Sequence, residues 1–172
     1  MSSVVSIRHA NRDELAAIVD IYNQSIPKRM ATADVEPVSV SSRQAWFDSH
    51  HERRPLWVAV KENRVLGWCS LRDFYGRPAY DITAEVAVYI DRDWHGFGVA
   101  QYLLRHAINK APSLGIQTLV AFVFAHNLPS IGLFQKNQFQ VWGELPQLAR
   151  LDKRYVDLTI LGLPLNEHRA NI

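Results

Sequence analysis

The sequence predicts an α/β fold with a mixed, mostly antiparallel central sheet and helices on both faces. Three observations carry this: strand-like and helix-like segments alternate, two strand pairs are spaced as hairpins, and one apolar strand runs straight into a glycine turn and a helix. The 172 residues are 48% hydrophobic and 21% charged, which suits a single domain over residues 1–172 with a core of its own. The stretch from Ala84 to Leu104 is its centre: a buried strand, a tight loop with Gly96 and Gly98, then a helix.

In chain order, Val4 to Arg8 is a short β-branched run and the first predicted strand. Asn11 and Glu14 have capping-box spacing, and Leu15, Ile18, Val19 and Tyr22 recur at helical spacing, so residues 12–26 are predicted as an amphipathic helix ended by Pro27. Lys28 to Val40 reads as an irregular loop beside a site. Ser41 or Ser42 caps a second helix running to His51, with Trp46 and Phe47 turned inward. Leu56–Val60 and Arg64–Leu71 are strands joined at Glu62-Asn63, a hairpin turn lacking the usual glycine. Asp73 to Tyr80 is turn-rich. Ile82–Ile90 is apolar on both faces and therefore central. A helix over Gly98–Lys110, a strand over Ile116–Phe124 and a helix over 128–137 follow. Strands over Phe139–Glu144 and Tyr155–Leu163 close the chain.

The composition excludes several classes. The formal net charge is +2 with the basic residues scattered, which argues against a nucleic-acid or membrane-surface partner. Cys69 is the only cysteine, so no intramolecular disulfide or cysteine metal cage is expected. His50-His51 has no third ligand at metal spacing, so no metal is expected. Met1 to Ala10 has no apolar signal-peptide core, no run approaches the ~20 residues of a membrane span, and the expected compartment is the cytoplasm.

A helix that opens on a glycine loop presents unpaired backbone N–H groups and the positive end of its dipole, a ready site for phosphate or pyrophosphate. Gly96 and Gly98 match neither the nucleoside triphosphate loop nor the dinucleotide fingerprint. Asn127 lies at the C-terminal end of a buried strand, where ligands of open α/β sheets collect. Ser130 then starts a helix and reads chiefly as its N-cap.

Taken together, His95-Gly96-Phe97-Gly98-Val99-Ala100 and Asn127, Ser130, Leu133, Phe134, Gln138, Phe139 resemble the two signatures of the GNAT acyltransferase superfamily. The run Phe74 to Ile90 is similar to the branch that acetylates phosphinothricin and methionine sulfone, and the resemblance covers essentially the whole chain. It implies acetyl-CoA as co-substrate, a small amino acid or analogue as acceptor, direct transfer without an acyl-enzyme, and a homodimer. Alternatives are another amine (polyamine, aminoglycoside or protein N-terminus) or an acyl-CoA sensor without turnover.

The resemblance also assigns roles. His95, Gly96, Phe97, Gly98, Val99 and Ala100 would hold the pyrophosphate through backbone. Strands splayed around 86–90 and 119–124 would admit the pantetheine arm, with Val88, Tyr89 and Ile90 lining it and a backbone N–H near Val88 polarising the thioester. Asn127 would bond the CoA amide end, with Ser130 beside it. Glu85, a carboxylate in an apolar strand, is the expected base, its pKa raised by burial. Arg77 ranks first for the acceptor's acidic group, with Arg72 next, and Tyr75 and Tyr80 would line the pocket. Trp46, Trp57, Trp68 and Trp142 read as core or dimer surface rather than ligand cage. Three departures stand out: His95 replaces a Gln or Arg, Gln138 replaces a helix-ending glycine, and Phe134 replaces a Tyr or His that would protonate the leaving thiolate.

Overall fold

The computed structural model describes residues 4–165. Seven strands form one sheet: β1 (Ser6–His9), β2 (Leu56–Lys61), β3 (Arg64–Asp73), β4 (Thr83–Ile90), β5 (Thr118–Phe124), β6 (Gln140–Leu151) and β7 (Arg154–Pro164), in the order β1-β2-β3-β4-β5-β7-β6. Every neighbouring pair is antiparallel except β4 and β5. Four α-helices accompany them: α1 (Leu15–Gln24), α2 (Gln44–Asp48), α3 (Val99–Lys110) and α4 (Leu128–Lys136).

α3 and α1 lie on opposite faces of the sheet, each burying one apolar stripe against it. On α3, Val99, Leu103, Leu104 and Ala107 are buried and meet Trp57, Cys69, Leu71, Ala84 and Val86 of the sheet. On the other face, Ile18 and Ile21 of α1 pack on Leu56, Val58, Val60, Val65 and Trp68. Full burial of a leucine such as Leu103 contributes about 1.5–3 kcal/mol, so α3 is fastened mainly by its stripe.

One irregularity makes the site. β4 and β5 pair at only three positions: Thr83 with Thr118, Ala84 with Leu119, and Glu85 with Val120. Beyond Glu85, β4 stays with β3 as far as Ile90 opposite Gly67, while β5 follows β7 as far as Phe124 opposite Leu158. The sheet therefore opens as a V whose apex is Glu85; the splay expected around 86–90 and 119–124 begins on β5 only after Val120, since Leu119 and Val120 still pair with β4.

Several boundaries differ from expectation. The first strand is Ser6–His9 rather than Val4–Arg8, because its pairing with β2 runs from Ser6 to His9. Residues 12–14 form a single 3₁₀ turn ahead of α1, with the Glu14 carboxylate accepting from the Asn11 N–H at 2.7 Å. α2 is a short helix after a 3₁₀ turn at Ser41–Arg43 and stops at Asp48. The β2–β3 turn closes without glycine because Glu62 (φ 50°) and Asn63 (φ 64°) both adopt the left-handed conformation that the hairpin requires. β6 runs on to Leu151 through two bulges that break its alternation.

Candidate active site

Three rungs of the β3–β4 ladder stand on one face of the sheet: Trp68 opposite Tyr89, Ser70 opposite Ala87, and Arg72 opposite Glu85. With Ile18, Val19 and Tyr22 of α1, Val38, Arg43 and Trp46 they enclose a cavity of about 160 Å³. Its walls are aromatic. Trp68 stacks on Tyr89 at 4.7 Å between centroids, Trp46 meets Trp68 edge-on at 5.3 Å, and Tyr22 lies 5.1 Å from Tyr89. Two guanidinium side chains and one carboxylate interrupt this box. Arg43 donates to the Asp34 carboxylate at 2.8 Å and sits 4.8 Å above the Tyr22 ring. The Tyr22 hydroxyl bonds Thr32 and Asp34, which fixes that ring.

Glu85 is half-buried. Loss of water around its carboxyl raises the pKa above the usual carboxylate range, and the positive charge of Arg72 partly opposes the rise. Burial likewise holds the Tyr89 phenol well above its ordinary pKa, so it is a neutral hydroxyl.

A second cavity of about 100 Å³ fills the V on the other side of the apex. It is lined by β4 from Glu85 to Tyr89, by Phe122, Val123 and Phe124 of β5, and by Asn127, Ser130 and Phe134. Glu85, Ala87 and Tyr89 line both cavities, so the carboxylate stands where the two meet. The loop after α1 roofs this cavity with Met30 and Ala31. Three successive carbonyls tie the roof down. Arg29 accepts from His126 Nε2 at 2.8 Å, Met30 from Asn127 Nδ2 at 3.2 Å, and Ala31 from the Tyr89 hydroxyl at 3.0 Å.

The V leads toward the glycine loop. Gly96 (φ 80°) and Gly98 (φ 79°) are both left-handed, and Gly98 is the N-cap of α3. A side chain at either would be strained there. The N–H groups of Val99, Ala100 and Gln101 have no helical carbonyl behind them and face outward. His95 Nε2 donates to the Ile90 carbonyl at 2.9 Å, which folds its ring back toward β4. Phe97 is exposed and lies 5.6 Å from Trp94.

The predicted site residues thus fall into groups. Glu85, Val88, Tyr89, Asn127 and Ser130 line the V, and His95 to Ala100 form the loop at its end. Ile90 closes β4 and anchors His95. Of the four residues expected to hold the acceptor, only Arg72 lines the aromatic cavity. Arg77 and Tyr80 border a separate shallow hollow, and Tyr75 clusters with Tyr80 and Phe74. The reason is the loop's own packing: Phe74 stacks on Phe122 and carries the segment past the apex.

Two assignments are corrected. Asn127, not Ser130, is the N-cap of α4: its Oδ1 accepts from the Ser130 N–H at 3.3 Å. Trp46 and Trp68 wall the aromatic cavity rather than serving only as core. Sequence reasoning also passed over Tyr22, Arg43 and Ser70. The period of α1 marks Tyr22 as inward-facing, but only the fold shows that it faces a void. Phe134 is buried in the V and packs edge-on against Phe139, offering no proton.

The profile of the acetyltransferase (GNAT) family matches residues 15–139. The chain belongs to this family: it is an N-acetyltransferase, and acetyl-CoA is its acyl donor. Bacillus subtilis YwnH, which carries a provisional phosphinothricin acetyltransferase name, is 50% identical over 94% of the chain and 100% of its own length. An L-methionine sulfoximine/L-methionine sulfone acetyltransferase of Pseudomonas aeruginosa is 34% identical over 96% and 97%. The crystal structure of a phosphinothricin acetyltransferase from Sinorhizobium meliloti in complex with AcCoA superposes with a TM-score of 0.90. It is 25% identical, with 98% of this chain and 92% of that one covered.

Proposed function

We propose that the protein acetylates the α-amino group of a small amino acid or close analogue, of the phosphinothricin, methionine sulfone or methionine sulfoximine type. The observation that carries this reading is the position of Glu85, the one acid shared by the two cavities. An acyl donor threaded through the V and an amine held in the aromatic box would meet at its carboxylate.

In this reading the pyrophosphate rests on backbone N–H groups from His95 to Ala100, and the pantetheine arm lies between β4 and β5, past Asn127 and Ser130. A β4 backbone N–H near Val88 polarises the thioester carbonyl. The amino acid enters with its ammonium toward Glu85 and its carboxylate toward Arg72, the cross-strand neighbour. Glu85, directly or through water, takes one proton. The neutral amine attacks, the N–C bond forms and the C–S bond breaks; the nitrogen sheds its second proton as the released thiolate takes one up, so one proton is left over in all, the one held by Glu85. The acceptor's side chain lies in the box, where Arg43 is placed for a distal anionic or sulfonyl oxygen. Arg77, Tyr75 and Tyr80 have no contact in this scheme within one chain.

The same reading carries three lesser proposals. The protein works in the cytoplasm, in keeping with a free, fully buried Cys69. It pairs with a second copy through the exposed Val141 and Trp142 of β6. Residues 1–172 act as one domain, with neither nucleic acid nor membrane as partner; among the described residues no helix is long and apolar enough to cross a bilayer.

The test is mass-spectrometric detection of N-acetylated product when the protein, acetyl-CoA and a panel of amino acids are combined, methionine sulfone and phosphinothricin included. Product confined to this group supports the reading. Product only with polyamines, aminoglycosides or peptide N-termini overturns the acceptor, and none with any amine favours the sensor.

A further inference from the structure

The acetylation of an ammonium releases two protons from one nitrogen: the first frees the lone pair, the second leaves after attack. Glu85 accepts one at a time, and Phe134 takes no part in proton transfer. A second acceptor stands in the wall of the same cavity.

Ser70 is 1% exposed to solvent and lines the acceptor-side cavity, one rung along the ladder from Arg72 and Glu85. Its rung partner is Ala87, whose methyl group leaves the space in front of the hydroxyl open. Behind it, His50 Nε2 lies 2.9 Å from Ser70 Oγ. The other ring nitrogen, Nδ1, lies 3.0 Å from the Trp46 carbonyl and 3.2 Å from the Phe47 carbonyl, both in the last turn of α2. Carbonyl oxygens only accept, so Nδ1 carries the hydrogen and Nε2 presents a lone pair. The Ser70 hydroxyl therefore donates to His50, and its own lone pairs are left for a donor in the cavity.

From this geometry we infer that Ser70 accepts an N–H of the bound amine and that His50 is the terminus of a two-step proton relay. The proton balance is closed. As the substrate N–H bond breaks, its proton goes to Ser70 Oγ, and the Ser70 proton moves to His50 Nε2. The imidazolium so formed keeps its Nδ1–H on the α2 carbonyls, which favour the charge. Burial, Arg72 on β3 and the adjacent His51 all oppose it, so the ring rests neutral and ready to accept. Ser70 touches the substrate, whereas His50 acts through Ser70 and is a positioning residue. The relay rests on the acceptor site proposed above.

The test uses the full-length enzyme with whichever amine it acetylates best. Ser70→Ala is expected to lower kcat at least ~10-fold, the low side of general acid–base contributions, with KM for acetyl-CoA unchanged. His50→Gln is expected to fall by a comparable factor. In the double variant the two losses do not multiply, because His50 has no route to the substrate without Ser70. The proton inventory of kcat in H₂O–D₂O mixtures is bowed in the wild type and linear in Ser70→Ala. Ser70→Cys, which preserves shape with a poorer hydrogen-bonding group, gives the same loss if the alanine variant folds poorly. Turnover by Ser70→Ala within twofold of wild type, or losses that multiply in the double variant, overturns the relay alone. A wild-type enzyme that acetylates no amine overturns the relay together with the acceptor site.

Discussion

Replacing Glu85 by Gln keeps the size and shape of the side chain at the apex of the V and removes only its capacity to take a proton. The packing of Val86 and Ala84 on the α3 side is untouched, since these neighbours point to the opposite face of β4. The glycine loop at the far end of the V is untouched as well, so acetyl-CoA affinity stays at the wild-type level. What is lost is the base, generally a factor of ~10²–10⁴ in rate, equivalent to about 3–5 kcal/mol of barrier at ~1.4 kcal/mol per decade. The assay is thiol release at saturating concentrations of both substrates, with acetyl-CoA binding followed by calorimetry. The wild-type rate also falls in acid, at a pH above the ordinary carboxylate range, because burial raises the Glu85 pKa. In the Gln variant that limb disappears. A kcat within threefold of wild type across pH would refute the assignment of Glu85 as base.

Because the folded pKa of Glu85 is raised, its protonated form is favoured in the native state, and its contribution to stability declines as pH rises through the interval between the unfolded and folded values. Glu85→Gln is therefore expected to be at least as stable as wild type at neutral pH in denaturant titrations, and a clear loss there would contradict the burial argument. Gly162 lies under Trp142, where an added Cβ would come within 2.0 Å of the ring. Gly162→Ala should cost about 1–3 kcal/mol as the ring is displaced, read as a lowered midpoint of unfolding. Gln138 holds a left-handed φ of 72° just after α4, so Gln138→Gly should stabilise by about 1 kcal/mol, with Tm up roughly 2–4 °C. Arg54 is 2% exposed, donates to the Asp81 carbonyl at 2.7 Å and pairs with Asp73 at 2.8 Å. Arg54→Leu should destabilise by about 2 kcal/mol by freeing that loop.

What the sequence made legible was what local chemistry determines. The apolar run of β4 and the left-handed glycines ahead of α3 are local patterns that sit where the pattern put them, while the spacing of Asn127 to Ser130 marked the helix start but not which of the two caps it. The position of Glu85 was also readable, since an acid in an apolar strand stands out against its neighbours. The acceptor-side cavity was not. Period-two alternation puts Trp68, Ser70 and Arg72 on one face, but it is silent on whether that face meets a helix or a void. The void is closed by Val38, Arg43 and Trp46 coming over from the segment after α1, a tertiary outcome with no mark in composition. Arg77 was favoured over Arg72 by likeness of motif, while the stacking of Phe74 on Phe122, which sets where its loop runs, depends on a contact across 48 positions of sequence. β6 was expected over Phe139–Glu144 but runs to Leu151: Gln147 is left-handed and the register shifts between Leu145 and Ala149, yet pairing with β7 resumes at Ala149.

The central claim is that donor and acceptor meet at Glu85 and that transfer is direct. The measurement that bears on it most closely is the initial rate of thiol release from acetyl-CoA, with methionine sulfone or phosphinothricin varied at several fixed donor concentrations. The account predicts negligible release without amine, a rate that saturates in both substrates with intersecting reciprocal plots, and no acetylated protein by mass. Release without amine, parallel plots with an acetyl-enzyme, or silence with every amine despite acetyl-CoA binding would contradict it.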